Sequence, residues 1–366
     1  MKITRKKNGK YTTRVRVKIN GEWAARRLTD DDKDELLYRA TRLKNMYKKQ
    51  EIEDKNKKWR MGEFYHLVID TFKTEKVSDS TIDLYRLAYD QFDAYFGDIE
   101  LEAVTRIDYQ NFINHLGNDY SLSTVDTRHR KIRALFYIAV DLGYIKNSPT
   151  KGAVMSGKDV SKDKVMFMES DKVTLLLTEL KKEYSVVNAA IMLAVNAGLR
   201  FEEIIALTKK DIDFKNRIVH VTKAWDYKYK NDFVDTKTKK SRKIFIDAST
   251  NEYLKSYVAW HDSHTSDTAN EYGLIFNNKG KSKPVTNNTV NTAIKRLCHK
   301  IETDEITIHR LRHTHTCLCV EAGLDIIYVS DRLGHQNINT TLKYYTHLSK
   351  TIRDNNQERV DKFFAS

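Results

Sequence analysis

The sequence predicts a multidomain chain: a small three-stranded β-sheet plus a helix, then an all-α segment, then a mixed, mainly α (α+β) domain. Three observations predict it. Two Asn-Gly turns punctuate a period-two apolar pattern in the first 29 residues. Capped helical periodicities fill residues 61–150 without a strand signal. Beyond residue 165, helical segments flank three short β-rich stretches. At 366 residues the chain exceeds one ordinary core, so two or three domains are expected.

Asn8-Gly9 and Asn20-Gly21 suit tight hairpin turns, whose central positions need positive φ. Between them KYTTRVRVKI alternates: Thr12, Arg14, Arg16 and Lys18 share one face, and Thr13, Val15, Val17 and Ile19 the other. Such a sheet buries little by itself. A helix from Asp32 to about Gln50, with Leu36, Leu37, Ala40, Leu43 and Met46, is expected to cover it. Residues 51–60 (EIEDKNKKWR) lack periodicity and read as a linker. Ser78 or Ser80 caps a helix that holds Ile82, Tyr85, Phe92 and Phe96 and ends near Gly97. Thr105 opens a second helix, to Gly117. Ser121 or Ser123 opens a third, ending at Gly143. Its stretch Arg128, His129, Arg130, Lys131 and Arg133 reads as exposed, either for phosphate contact or as a solvated face. NSPTKG at 147–152 marks another boundary. Helices are then expected at about 169–183 and 186–206, strands near 217–223, 233–237 and 242–246, and helices again from about 249. The expected domains are 1–55, 60–152 and 165–366.

A net charge of +14 and a pI near 9.3 point to a polyanionic partner. The charge is concentrated. Residues 1–29 hold ten lysines and arginines against the single acid Glu22, a balance that repels itself unless phosphates neutralise it. No apolar run approaches the roughly 18–20 residues a bilayer span needs, and MKITRKKNGK has no apolar signal core, so no membrane role is expected. The three cysteines, Cys298, Cys317 and Cys319, are odd in number and sparse, which fits a reduced cytoplasmic setting. His309, His313, His315, Cys317 and Cys319 invite a zinc reading. Helix neighbours two apart point to nearly opposite faces, however, and paired CxxC spacing is missing, so no metal is expected.

The residues that carry chemistry lie in AGLRFEEIIAL (197–207), IHRLRHTHT (308–316) and RLGHQNINTTLKYYTHL (332–348). Breaking a phosphodiester requires charge stabilisation, an activated nucleophile and a proton for the leaving oxygen. Arginine suits the first task because its planar fork holds two phosphate oxygens and stays protonated. Arg200 follows Gly198-Leu199 at a helix–turn junction. His309 and Arg312, three apart, share a helix face. His335 follows Gly334, read as a helix C-cap.

In order and spacing these residues resemble the tyrosine recombinase (phage integrase) family, whose motif is Arg, Lys, His-x-x-Arg, His and Tyr. GLRFEEI gives Arg200, with Glu203 as an orienting acid. HRLRHTHT gives His309 and Arg312, and LGHQNINTTLKYYTH gives His335 and the nucleophile. The family lysine sits on a β-hairpin, where TKTKKSRKIFI offers Lys237, with Lys239 and Lys240 as substitutes. Many relatives place the tyrosine nine residues after the last histidine, at Tyr344; the flanking Tyr-Thr-His and the preceding TTLK select Tyr345. Residues 1–50 resemble the arm-binding domain of integrases from Gram-positive phages, conjugative transposons and pathogenicity islands, and residues 61–150 the core-binding domain.

The resemblance implies a 3′-phosphotyrosyl intermediate, needing neither ATP nor metal nor any other cofactor, and exchange between four protomers on DNA. Double-stranded DNA at core and arm attachment sites is the implied partner, read by Arg14, Arg16, Lys18, Arg128, Arg130 and Lys131. An accessory excisionase and a DNA-bending host protein would set direction. VDKFFAS at the C-terminus is expected to dock on a neighbouring protomer or pack within its own chain. The rival readings are a chromosome-dimer resolvase, a type IB topoisomerase and a DNA-binding regulator without chemistry.

Overall fold

A computed structural model of the chain describes residues 3–5, 10–19, 22–42, 57–160, 167–238, 240–264, 270–277, 283–342 and 364. The chain divides into two compact units, Met1–Asp163 and Lys164–Ser366.

In the first unit, β1 (Ile3–Arg5), β2 (Tyr11–Ile19) and β3 (Glu22–Asp30) form an antiparallel meander. Arg14 lies opposite Arg27, and Lys18 opposite Trp23. Directly opposed residues share a face, so Arg14 and Arg27 set two like charges side by side, which costs stability unless an anion lies between them. Arg14, Arg16 and Arg27 are exposed, while Val15 is buried. Thr12 departs from the expected alternation. It sits on the basic face yet is buried, because its hydroxyl donates to the Leu28 carbonyl at 2.9 Å and accepts from the Thr29 hydroxyl at 3.2 Å. Helix α1, over residues 33–42, buries Leu36 and Ala40 and exposes Leu37. Its expected continuation to Gln50, and residues 51–56 of the linker, lie outside the described residues.

The helical part of this unit comprises α2 (Met61–Val68), α3 (Asp79–Phe96), α4 (Arg106–Asp119) and α5 (Leu122–Asp141). Ser78 stands at the N-cap of α3, and Gly97 closes it at φ +66°. Thr105 and Asp108 form a reciprocal capping box on α4. This helix runs past Gly117. The glycine serves close approach instead of termination, since a Cβ there would lie 2.4 Å from Ser156 Oγ. Phe92, Tyr109, Phe112 and Phe136 form the core of the bundle. His129 belongs to that core, contrary to the expected exposed stretch. Val125, His129, Ile132 and Phe136 fall on one apolar stripe, and His129 Nδ1 lies 3.0 Å from the Tyr109 hydroxyl. Arg130 is exposed and pairs with Asp126, and Arg128 is half-buried. Lys131 Nζ lies 4.7 Å and Lys73 Nζ 5.3 Å from the centre of the Tyr85 ring.

The second unit is built around α7 (Val186–Asn196), whose residues from Ala189 to Val195 are buried all round. A helix apolar on every side must be covered on every side. Around it pack α6 (Ser170–Leu180), α9 (Ala248–His264), α10 (Asn287–Lys300) and α11 (Ile308–Glu321). The single helix expected over 186–206 is instead two. Gly198, at φ +65°, breaks it, and α8 (Phe201–Ile204) restarts it with Arg200 at the N-cap. A sheet of order β4-β5-β8 (Ile212–Asp213, Ile218–Val221, Arg242–Phe245) and a ribbon of β6 (Ala224–Asp226) and β7 (Asp232–Val234) follow. Helix α12 (Ile326–Leu333) follows, and residues 339–342 are again helical. Among the described residues no helix is long and apolar enough to cross a membrane.

Candidate active site

The breaks between elements bring the cations together. At the N-cap of α8, the backbone N–H of Arg200 donates to Glu203 Oε2 at 2.9 Å, and Nη1 donates to Oε1 at 2.9 Å. Glu203 is 1% exposed and meets a second guanidinium from β8: Arg242 Nη1 reaches Oε1 at 2.9 Å and Nη2 reaches Oε2 at 2.7 Å. Burial alone would raise the carboxyl. The Arg242 hydrogen bond and charge, then Arg200, override it and hold the group down at about 2. Glu203 is thus an anion shared between two arginines, and it fixes the plane of both forks.

Arg312 projects from α11 into the interior, 2% exposed, and donates Nη1 to the Gly198 carbonyl and Nη2 to the Leu333 carbonyl. Its neighbour one turn earlier, His309, is exposed. Partial desolvation, then the positive charge of Arg312, Arg200, Lys237 and Arg310, lower its basicity. His313 stacks edge-on against His309, with ring centres 4.8 Å apart, and is lowered to about 3 by burial and the neighbouring charges.

His335 follows Gly334, which closes α12 in the left-handed conformation (φ +66°, ψ +46°). Its Nδ1 lies 2.8 Å from the Thr341 hydroxyl, and burial with the charges of Arg312, Arg200 and Arg242 lowers it to about 4. Both His309 and His335 therefore start neutral at pH 7. Lys237 is exposed on the loop between β7 and β8. Those strands do not pair: β7 joins β6, while β8 joins β5, so the lysine rides a crossover loop and not a hairpin. Thr236, 2% exposed, pins the loop by donating to the Lys240 carbonyl at 3.2 Å. Lys239, Tyr344 and Tyr345 lie outside the described residues, as does VDKFFAS apart from Phe364.

Sequence reading missed Arg242, Arg332 and the buried role of His315. His315 and Cys319, four apart on α11, bond to one another at 3.4 Å. No group of three His, Cys, Asp or Glu side chains among the described residues is arranged to hold a metal ion.

Clustered guanidiniums on fixed carbonyls, edged by neutral imidazoles and an exposed lysine, define a domain that handles phosphodiesters. The chain belongs to the phage integrase family. The family described as "Phage integrase family" matches residues 166–351, and "Phage integrase SAM-like domain" matches residues 61–156. The chain is similar to the ICEBs1 integrase of Bacillus subtilis, 23% identical over 376 residues and covering 99% of each chain. It is also similar to the transposase from transposon Tn916 of Enterococcus faecalis, 27% identical over 67% of this chain and 63% of that protein's length. Among solved structures, the Tn1549 transposon integrase in complex with a circular intermediate DNA superposes with a TM-score of 0.69. It is 20% identical and covers 81% of this chain and 98% of that one, a likeness of fold.

Proposed function

We propose that this chain is a site-specific DNA recombinase, an integrase that cuts and rejoins DNA to insert and excise a mobile genetic element. The observation that carries the reading is the convergence of Arg200, Arg312, His309, His335 and the charge of Lys237 on one site from four separate elements. Membership in the phage integrase family supports it.

In this reading Tyr345 Oη attacks the scissile phosphorus. The P–O5′ bond breaks, leaving a 3′-phosphotyrosyl link, and Lys237 gives its proton to the departing 5′ oxygen. Arg200 and Arg312 offset the charge that develops on the nonbridging oxygens of the pentavalent transition state. His309 and His335, neutral at the outset, are able to take the phenolic proton. The covalent link conserves the bond's energy, so religation by a 5′-hydroxyl reverses the chemistry without ATP.

The basic face of the N-terminal sheet would grip arm sites and the helical segment core sites, on double-stranded DNA, with four protomers in the exchanging complex. Domains at 1–55, 60–152 and 165–366 would divide these tasks. An excisionase and a DNA-bending host protein would bias direction.

The test is a nicked suicide duplex spanning the joined ends of the element, with the modified residue mapped by mass spectrometry. Tyr345 is expected to carry the DNA, and Tyr345→Phe to bind the duplex without forming an adduct. Adduct formation undiminished in Tyr345→Phe would move the nucleophile to Tyr344. No adduct from the unmodified chain would overturn the reading.

A further inference from the structure

The last turn of α12 allows a complete account of its carbonyls. A helix ends with orphan C=O groups that must find donors. Ser330 O accepts from the His335 N–H at 3.0 Å, and Asp331 O from the Gly334 N–H at 2.9 Å, the pairing of a helix closed by a left-handed glycine. Three consecutive carbonyls remain, and each takes a guanidinium. Arg332 O accepts from Arg242 Nε at 2.9 Å, Leu333 O from Arg312 Nη2, and Gly334 O from Arg200 Nη2 at 3.2 Å. The partial negative charge of a helix C-terminus favours this. One turn thus holds cations from β8, α11 and the start of α8, and His335 is the next residue along.

What fixes that turn is its own side chain. Arg332 spreads its fork over three elements, two of them the same β8 and α11: Nη2 to Asn196 O at the end of α7 (3.1 Å), Nη1 to Phe245 O at the end of β8 (2.7 Å) and Nε to His315 Nε2 on α11 (3.0 Å). His315 Nδ1 faces the Val195 carbonyl at 2.7 Å. A carbonyl only accepts, so the ring hydrogen sits on Nδ1 and the Nε2 lone pair faces Arg332. Gly198 is compelled to be glycine partly by this packing, since a Cβ there would lie 2.5 Å from His315 Cδ2 and 2.9 Å from Leu333 Cδ2.

Resting on the strand-transfer reading above, we propose that Arg332 is a positioning residue of that reaction, with His315 as its fixed acceptor. By tying the end of α12 to α7, β8 and α11, Arg332 sets the carbonyl row on which Arg200, Arg242 and Arg312 are aimed. It touches no reacting atom. Lysine keeps the charge but cannot reach three acceptors in one plane, so the inference requires the fork itself.

The experiment measures single-turnover adduct formation by the full chain on the nicked duplex spanning the joined ends. It compares Arg332→Ala, Arg332→Lys, His315→Phe and the Arg332→Ala/His315→Phe double variant. Each Arg332 variant is expected to slow adduct formation about 10- to 100-fold, with equilibrium binding of the same duplex roughly unchanged. The double variant should be no slower than Arg332→Ala, because both residues act through one node. Should Arg332→Ala fail to fold, Arg332→Lys carries the test. A wild-type rate in Arg332→Lys, or a rate loss that follows a matching loss of duplex binding, overturns the inference alone. No adduct from the unmodified chain overturns the strand-transfer reading and the inference with it.

Discussion

Glu203 keeps a full negative charge in a nearly dry position, and the order of the two arginine forks depends on it. Replacing it with glutamine keeps the shape and removes the charge, leaving Arg242 buried beside a neutral amide. Losing one partner of such a pair is expected to cost about 3 kcal/mol in thermal or denaturant unfolding. The pH dependence has a definite sign. The folded carboxyl sits near 2 against an ordinary 4.5, so its contribution is complete above pH 4.5 and fades as the pH falls toward 2. Glu203→Gln should flatten that part of the acid-unfolding curve; an unchanged curve would show that the carboxylate is not the anchor. Arg200, Glu203, His309, Arg312 and His335 were legible in the sequence because they sit in three short runs of recognisable order. Arg242 was not. It meets Glu203 from 39 residues away, and nothing in the local pattern of β8 distinguishes a buried arginine from a solvated one.

Helix α11 gathers histidines that the fold keeps neutral: His315 and His313 are lowered to about 3, and His335, across the site, to about 4. For His315 burial is the largest cause and the Arg332 charge the next. Below about pH 6.5 the unfolded chain binds a proton at each ring that the folded chain refuses until much lower pH. Stability is therefore whole above pH 6.5 and drains as the pH falls toward 3. His315→Gln should reduce the slope of stability against pH by up to about 1.4 kcal/mol per pH unit between pH 6 and 4, measured by denaturant titration at each pH. An unaltered slope would show that the ring is protonated in the fold. The break before α8 is equally exacting. Gly198→Ala adds a Cβ at φ +65° against His315 and Leu333, and is expected to lower stability by about 2–4 kcal/mol in a thermal melt. Sequence periodicity ran one helix over residues 186–206, because the apolar spacing does not change at the break, while Gly198-Leu199 before Arg200 did read as a helix–turn junction. Caps were easier: Thr105 announces a helix start with a side chain that caps it, and Gly97 a helix end with the lack of one. The crossover that carries Lys237 was hidden for a different reason. Strands near 217–223, 233–237 and 242–246 were evident, but which strand pairs with which depends on contacts that no single segment encodes.

Charge ties the chain to its partner. Ten of the basic residues fall within residues 1–29, and the β2–β3 register puts Arg14 directly across from Arg27. An arrangement that opposes like charges on an exposed face costs stability in the free protein and is relieved when phosphates approach. Each phosphate neutralised releases a condensed counterion, so the logarithm of duplex affinity should fall by about 0.9 per contact for each decade of salt. A chain without residues 1–55 should therefore show a shallower salt dependence on DNA that carries both arm and core sequence, and an unaltered one on core sequence alone. The same deletion should leave adduct formation on isolated core duplexes measurable, because the arginine network lies wholly within the second unit. Integration is different. Two grips on one DNA make the second contact intramolecular once the first has closed, so the avidity exceeds that of either grip alone by about 100-fold or more. Losing one grip should thus depress integration far more than cleavage. Equal integration by the full and shortened chains, in a two-plasmid assay, would show that the N-terminal sheet does not hold arm DNA.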